Sequence, residues 1–225
     1  MPTTIKDLVL TRDWPTTRAS TLIDEAGPWP EDAPATARLR ENGAVFIGKT
    51  TTPEFGWKGV TDSRRDGITR NPWNLACTPG GSSGGAAAAA ALGMGALHIG
   101  TDGGGSIRIP CGFTGIPGLK PSFGRVPAYP LSPFGSVSHV GPMARTVADC
   151  ALMLTVLDEP DVRDPYALPW HEKDYSLDLE RGVEGLRLAF LPTLGAHPVD
   201  PKVAALVAAA AKRFDEMGAR VAQPA

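Results

Sequence analysis

Six consecutive alanines, Ala86 to Ala91, follow directly on Gly80-Gly81-Ser82-Ser83-Gly84-Gly85. Alanine has the highest helix propensity and no bulk beyond Cβ. This stretch therefore predicts a helix over Gly84 to Gly93 whose whole surface lets other elements approach closely, that is, a buried helix. A second glycine-serine segment lies soon after it. Ala96 to Ile99 reads as a short strand that runs into Gly100-Thr101-Asp102-Gly103-Gly104-Gly105-Ser106. A Gly/Ser run on its own is usually a flexible linker. Here one run opens a strong helix and the other closes a strand, and linkers seldom alternate with core elements at such short range. Phosphate binding at a helix N-terminus is a second reading. Neither segment, however, spells a P-loop or a clean dinucleotide fingerprint.

The flanking chain reads as alternating elements. Residues 1–6 predict a short strand, and residues 32–42 a helix closed by Asn42-Gly43. Ala44 to Ile47 predicts a buried strand leading into Gly48-Lys49-Thr50. Residues 53–81 carry no long periodic run and read as an ordered surface loop. Amphipathic helices are expected over 146–157 and 202–217, with Gly218 placed as the C′ glycine of the second. Leu186 to Leu191 predicts a strand between them, and 158–184 an exposed connection. Alternating strands and helices point to an α/β class.

A net charge of −2, with 20% charged residues, leaves no basic stripe for nucleic acid. The longest apolar run, Ala86 to Leu92, is too short to span a bilayer. Cys77, Cys111 and Cys150 form neither a disulfide framework nor a C-x-x-C pair, which favours a reducing compartment. Met1 to Thr11 lacks a secretory h-region. The expectation is a cytoplasmic protein with no nucleic-acid or membrane partner and no metal or other cofactor.

Acyl transfer needs a nucleophile, a base and donors for an oxyanion. Glycines ahead of Ser106 allow backbone N–H groups to turn inward beside its hydroxyl. None of His98, His139, His171 and His197 stands in a setting that suggests a base; His98, inside an apolar strand, reads as structural. A buried lysine is the other option, because burial disfavours its charged form.

At this point the chain resembles the amidase signature family. The resemblance rests on the two glycine-serine segments, the second continuing as Ile107-Arg108-Ile109-Pro110, with the alanine helix between them. Supporting pieces are Ile5-Lys6-Asp7, Gly48-Lys49-Thr50 with Pro53-Glu54-Phe55, Asn71-Pro72-Trp73-Asn74, Gly118 to Val126 and Gly141 to Asp149. They occur in order over residues 1 to about 160. The resemblance implies Ser106 as nucleophile, Ser82 as a bridging serine on a cis peptide, and Lys6 as the base. It implies Gly103, Gly104, Gly105 and Ser106 as the oxyanion-hole backbone, and Ser83, Asp102 and Arg108 as supporting polar positions. Lys49 is implied to be structural, and Tyr129 to His139 to line the pocket. The family more often has a less flexible residue where Gly103 stands.

The same resemblance implies an α/β fold with a mixed twisted sheet covered by helices. Residues 1–225 would form one amidase-signature domain lacking an N-terminal lead and a C-terminal part, soluble and active only as part of something longer. Three functions fit: an amidase cleaving small or aryl carboxamides, the glutaminase-type subunit of a tRNA-dependent amidotransferase, or an inactive fragment. The expected partner is a small amide substrate, and a homodimer of the complete protein is left open.

Overall fold

The computed structural model describes residues 1–193, 195 and 197–223. These fall into two compact units, residues 1–177 and residues 178–225. In the first, β1 (Pro2–Lys6), α1 (Pro34–Glu41) and β2 (Val45–Thr50) are followed by a small hairpin, β3 (Asp62–Ser63) and β4 (Gly67–Ile68). Then come α2 (Gly84–Ala91), β5 (Leu97–Asp102), α3 (Arg108–Thr114), β6 (His139–Ala144) and α4 (Val147–Leu157). The main sheet has the order β2-β1-β5-β6; β1 is parallel to both β2 and β5, and β6 is antiparallel to β5. This is the expected mixed sheet.

Side chains alternate across a strand, and here the alternation separates core from site. Ile5, Leu97 and Ile99 face a core completed by Ala35 and Leu39 of α1 and by Met153, Leu154 and Leu157 of α4. Each large aliphatic side chain buried there contributes about 1.5–3 kcal/mol. On the opposite face Met143, paired with His98, packs with Ala86 and Ala87 of α2 and with Ile107 and Cys111 beside and in α3. Lys6, next to Ile5, points to this second face. α4 is capped by the hydroxyl of Thr146, which accepts the amide of Asp149 at 3.0 Å.

The alanine helix is buried as expected over Gly84, Gly85, Ala86, Ala87, Ala89 and Ala90, with Ala88 and Ala91 partly exposed. The predicted burial of Ala44 to Ile47 is not found. β2 is the edge of the sheet, with Phe46 turned towards the core while Val45 and Ile47 are 61% and 50% exposed. A short apolar run is compatible with a central or an edge strand, and only the pairing decides which.

In the second unit β7 (Arg187–Ala189) pairs in parallel with β8 (Arg220–Ala222), and α5 (Pro201–Glu216) lies between them in sequence. The Asp200 carboxylate caps α5 by accepting the amides of Lys202 and Val203. Gly218 takes φ +90 just past its end, as a C′ glycine does. The apolar face that the sequence predicts, with Val203, Leu206, Val207, Phe214 and Met217, is exposed. Among the described residues no helix is long and apolar enough to cross a membrane.

Candidate active site

Lys6 ends β1 and is completely buried. Its Nζ lies 2.7 Å from Ser82 Oγ, 2.9 Å from Ser83 Oγ and 2.9 Å from Thr101 Oγ1. The register explains the meeting. Ile5 is opposite Ile99, so the side chain of Lys6 reaches the end of β5, where Thr101 stands, and the start of α2, which the two serines precede. Burial holds the Lys6 ammonium well below its ordinary range, against the opposing pull of the Asp102 carboxylate.

The serine segment is held tightly. The Gly81–Ser82 peptide bond is cis. A Cβ on Gly81 would sit 2.6 Å from the Val60 carbonyl, so a larger residue does not fit there. The amide of Ser83 donates to the Ser106 carbonyl at 3.1 Å, tying the two glycine-serine segments together. The Ser83 hydroxyl donates to the Thr101 carbonyl at 3.1 Å and accepts the Thr101 amide at 3.2 Å.

Asp102 organises the turn that carries Ser106. Its carboxylate accepts the amides of Gly105 (2.8 Å), Ile107 (3.1 Å) and Arg108 (3.3 Å), and the Arg108 guanidinium at 2.8 and 3.0 Å. Burial alone would raise its pKa. The Arg108 side chain and the backbone N–H groups outweigh that and hold the carboxyl well below its usual range. One consequence corrects the expected oxyanion set: the Gly105 N–H is engaged by Asp102 and is not turned to the cavity. Among the described residues the amides of Gly103, Gly104 and Ser106 have no acceptor.

A cavity of about 680 Å³ opens beside this cluster and is lined by Ser82, Thr101, Gly103, Gly104 and Ser106. Among the described residues the Ser106 hydroxyl makes no hydrogen bond, to Ser82 or to any other group. Tyr129 to Phe134, Val137 and Ser138 also line the cavity. His139 does not; its Nδ1 donates instead to the carbonyls of Val137 (2.8 Å) and Asp102 (3.1 Å).

Lys49 stands apart from the serines. Its Nζ donates to the Val9 carbonyl (2.8 Å) and to Thr16 Oγ1 (2.7 Å), with Asp7 Oδ1 at 3.7 Å. Burial lowers its pKa to about 8, partly offset by Asp7 and Asp32. His98 is buried in β5 with Nδ1 on Thr4 Oγ1 at 2.8 Å, and burial lowers its pKa to about 4. Thr101 is the member of the cluster that the sequence does not single out. Among the described residues no group of His, Cys, Asp or Glu side chains could hold a metal ion.

A mixed α/β sheet that presents a buried lysine to paired serines beside a glycine-lined cavity defines a narrow class. The profile of the Amidase family matches residues 1–225, and the chain belongs to the amidase signature family of hydrolases. It is 43% identical over 225 residues to an acylamidase of Rhodococcus erythropolis, covering 99% of this chain and 47% of that protein. It is 42% identical over 225 residues to a glutamyl-tRNA(Gln) amidotransferase subunit from Synechococcus sp. (strain CC9902), covering 99% of this chain and 46% of that protein. The crystal structure of a bacterial aryl acylamidase of the family superposes with a TM-score of 0.92 at 35% identity, covering 100% of this chain and 47% of that one. The chain thus spans about half the length of the curated relatives it matches.

Proposed function

We propose that this protein is an amidase that hydrolyses a carboxamide to a carboxylate and ammonia or an amine through an acyl-enzyme on Ser106. The observation that carries the reading is the buried Lys6 amine, 2.7 Å from Ser82 Oγ at the cavity that also holds Ser106. A proton inventory gives Lys6 its role. A neutral amine has two N–H bonds and one lone pair. The Ser83 hydroxyl hydrogen is directed to the Thr101 carbonyl, so Ser83 accepts from Lys6. Thr101 Oγ1 takes the second N–H. The lone pair then faces Ser82, whose hydroxyl donates to it.

From that arrangement Ser82 passes its proton to Lys6 as it takes one from Ser106. Ser106 Oγ attacks the carbonyl carbon, and the oxyanion is received by the N–H groups of Gly103, Gly104 and Ser106. The proton returns through Ser82 to the departing nitrogen, and the C–N bond breaks. Water then attacks the ester by the same relay, and Ser106 leaves with its proton restored. Asp102 and Arg108 hold the Ser106 turn in place. Labelling by a fluorophosphonate probe tests the reading: modification at Ser106, lost in Ser106→Ala, is expected. Labelling that persists at another residue overturns the assignment.

A second reading rests on the Synechococcus relative, named for its part in an amidotransferase. It requires glutamine-dependent ammonia release and co-purification with a second subunit.

A further inference from the structure

The cavity beside Ser106 is charged with one sign. Its charged lining residues among those described are Arg18 and Lys58, with no carboxylate. Lys58 is answered by Asp62 Oδ2 at 2.8 Å. Arg18, half-buried, has no ion pair and no side-chain hydrogen bond among the described residues. A cation in that position lowers the energy of an anion bound in the same cavity and raises that of a cation.

The backbone of Arg18 is held there against its own preference. Arg18 and Ala19 both take φ 55, in the left-handed region that non-glycine residues avoid. The turn is fastened on both sides. Asp7 Oδ2 accepts the Thr17 hydroxyl at 2.7 Å and the Ala19 amide at 3.2 Å. The Arg18 carbonyl accepts the Phe55 amide at 2.9 Å. Leu8, Phe55, Ile109 and Leu131 give the cavity an apolar and aromatic stretch of wall, with Trp57 stacked on Phe134 at 5.4 Å between ring centroids.

We infer that Arg18 is a specificity residue that recognises a carboxylate carried on an apolar or aryl spacer away from the scissile amide. The inference rests on amide hydrolysis at Ser106. Arg18 touches the substrate's distant end and takes no part in bond making.

The test compares matched anilides by release of the corresponding arylamine: the monoanilide of succinic acid against pentananilide, and 4-acetamidobenzoate against 4-methylacetanilide. The native protein is expected to prefer the carboxylate in at least one pair. Arg18→Gln should lower kcat/KM for that carboxylate by roughly 10- to 100-fold more than for its neutral partner, the span of one charge-assisted hydrogen bond. Arg18→Lys should recover part of the preference. Hydrolysis of the neutral anilides with no carboxylate preference, or a preference that survives Arg18→Gln, overturns the role of Arg18 and leaves the amidase reading standing. Failure on every anilide, with no labelling at Ser106, overturns both. Should Arg18→Gln not fold, inhibition of the native protein decides: benzoate stronger than benzyl alcohol supports the role, and equal or weaker inhibition overturns it.

Discussion

The amide of Gly105 donates to Asp102 Oδ1 across 2.8 Å, and this bond sets which way the Ser106 turn faces. Asp102 accepts two more amides and the Arg108 guanidinium, so the carboxylate is the hub of the turn. Asp102→Asn keeps the shape but removes the charge and places an NH2 against donors. It should cost about 1–3 kcal/mol, the range for leaving buried amide donors without an acceptor, since Asp102 is buried while the Arg108 side chain is 55% exposed. Chemical denaturation measures that cost, and loss of probe labelling at Ser106 should accompany it. The acid limb follows from the same group. Its folded pKa is depressed, so its stabilisation is complete above the ordinary carboxylate range and is lost as pH falls through the folded value.

Lys6 gives the pH dependence of activity. Burial depresses its pKa, so the amine becomes a base as pH rises through the folded value, and kcat/KM should rise with it. Lys6→Ala should remove the activity, whereas His98, His139, His171 and His197 can each be replaced at far smaller cost. A histidine variant as inactive as Lys6→Ala would refute this assignment.

Lys49 separates stability from activity. With a folded pKa of about 8 against an ordinary value near 10.5, the unfolded chain binds more protons between those limits. The Lys49 penalty is therefore full below pH 8 and is relieved as pH rises towards 10.5, by on the order of 3 kcal/mol. Lys49→Met should flatten that part of the stability curve while probe labelling at Ser106 continues. Denaturation series at several pH values read the slope directly.

Two glycines give a packing contrast. Gly81→Ala drives a methyl group to 2.6 Å from the Val60 backbone and should destabilise by about 1–3 kcal/mol or more. Gly112, within α3, has nothing within 4 Å of an added Cβ. Gly112→Ala should stabilise by about 0.4–1 kcal/mol through the unfolded chain. Thermal melts of the two variants should move in opposite directions.

Much of the architecture is legible in the chain itself. Ala86 to Ala91 announces a helix meant for close packing, and the short apolar run at Ala96 to Ile99 announces the strand before Ser106. What is hidden depends on pairing. Val45 and Ile47 are apolar yet exposed, because edge position is a property of the sheet and not of the run. Thr101 joins Lys6 only through the β1–β5 register, which leaves no local mark. Lys6 stands in a strand of five residues, too short for periodicity to single it out, and comes forward only through the family resemblance. The Gly105 amide looks free because nothing in a glycine triplet tells which N–H a nearby carboxylate will take.

The alternation of Ile5 and Lys6 along β1 also bears on misfolding. A slip of one residue in the pairing of β1 would send an ammonium into the aliphatic layer and an isoleucine among hydroxyl groups. Both errors cost free energy, and they occur together. The residue proposed as the base thus doubles as a key for strand alignment, so that a mispaired β1 is rejected by the chemistry of its own side chains during assembly.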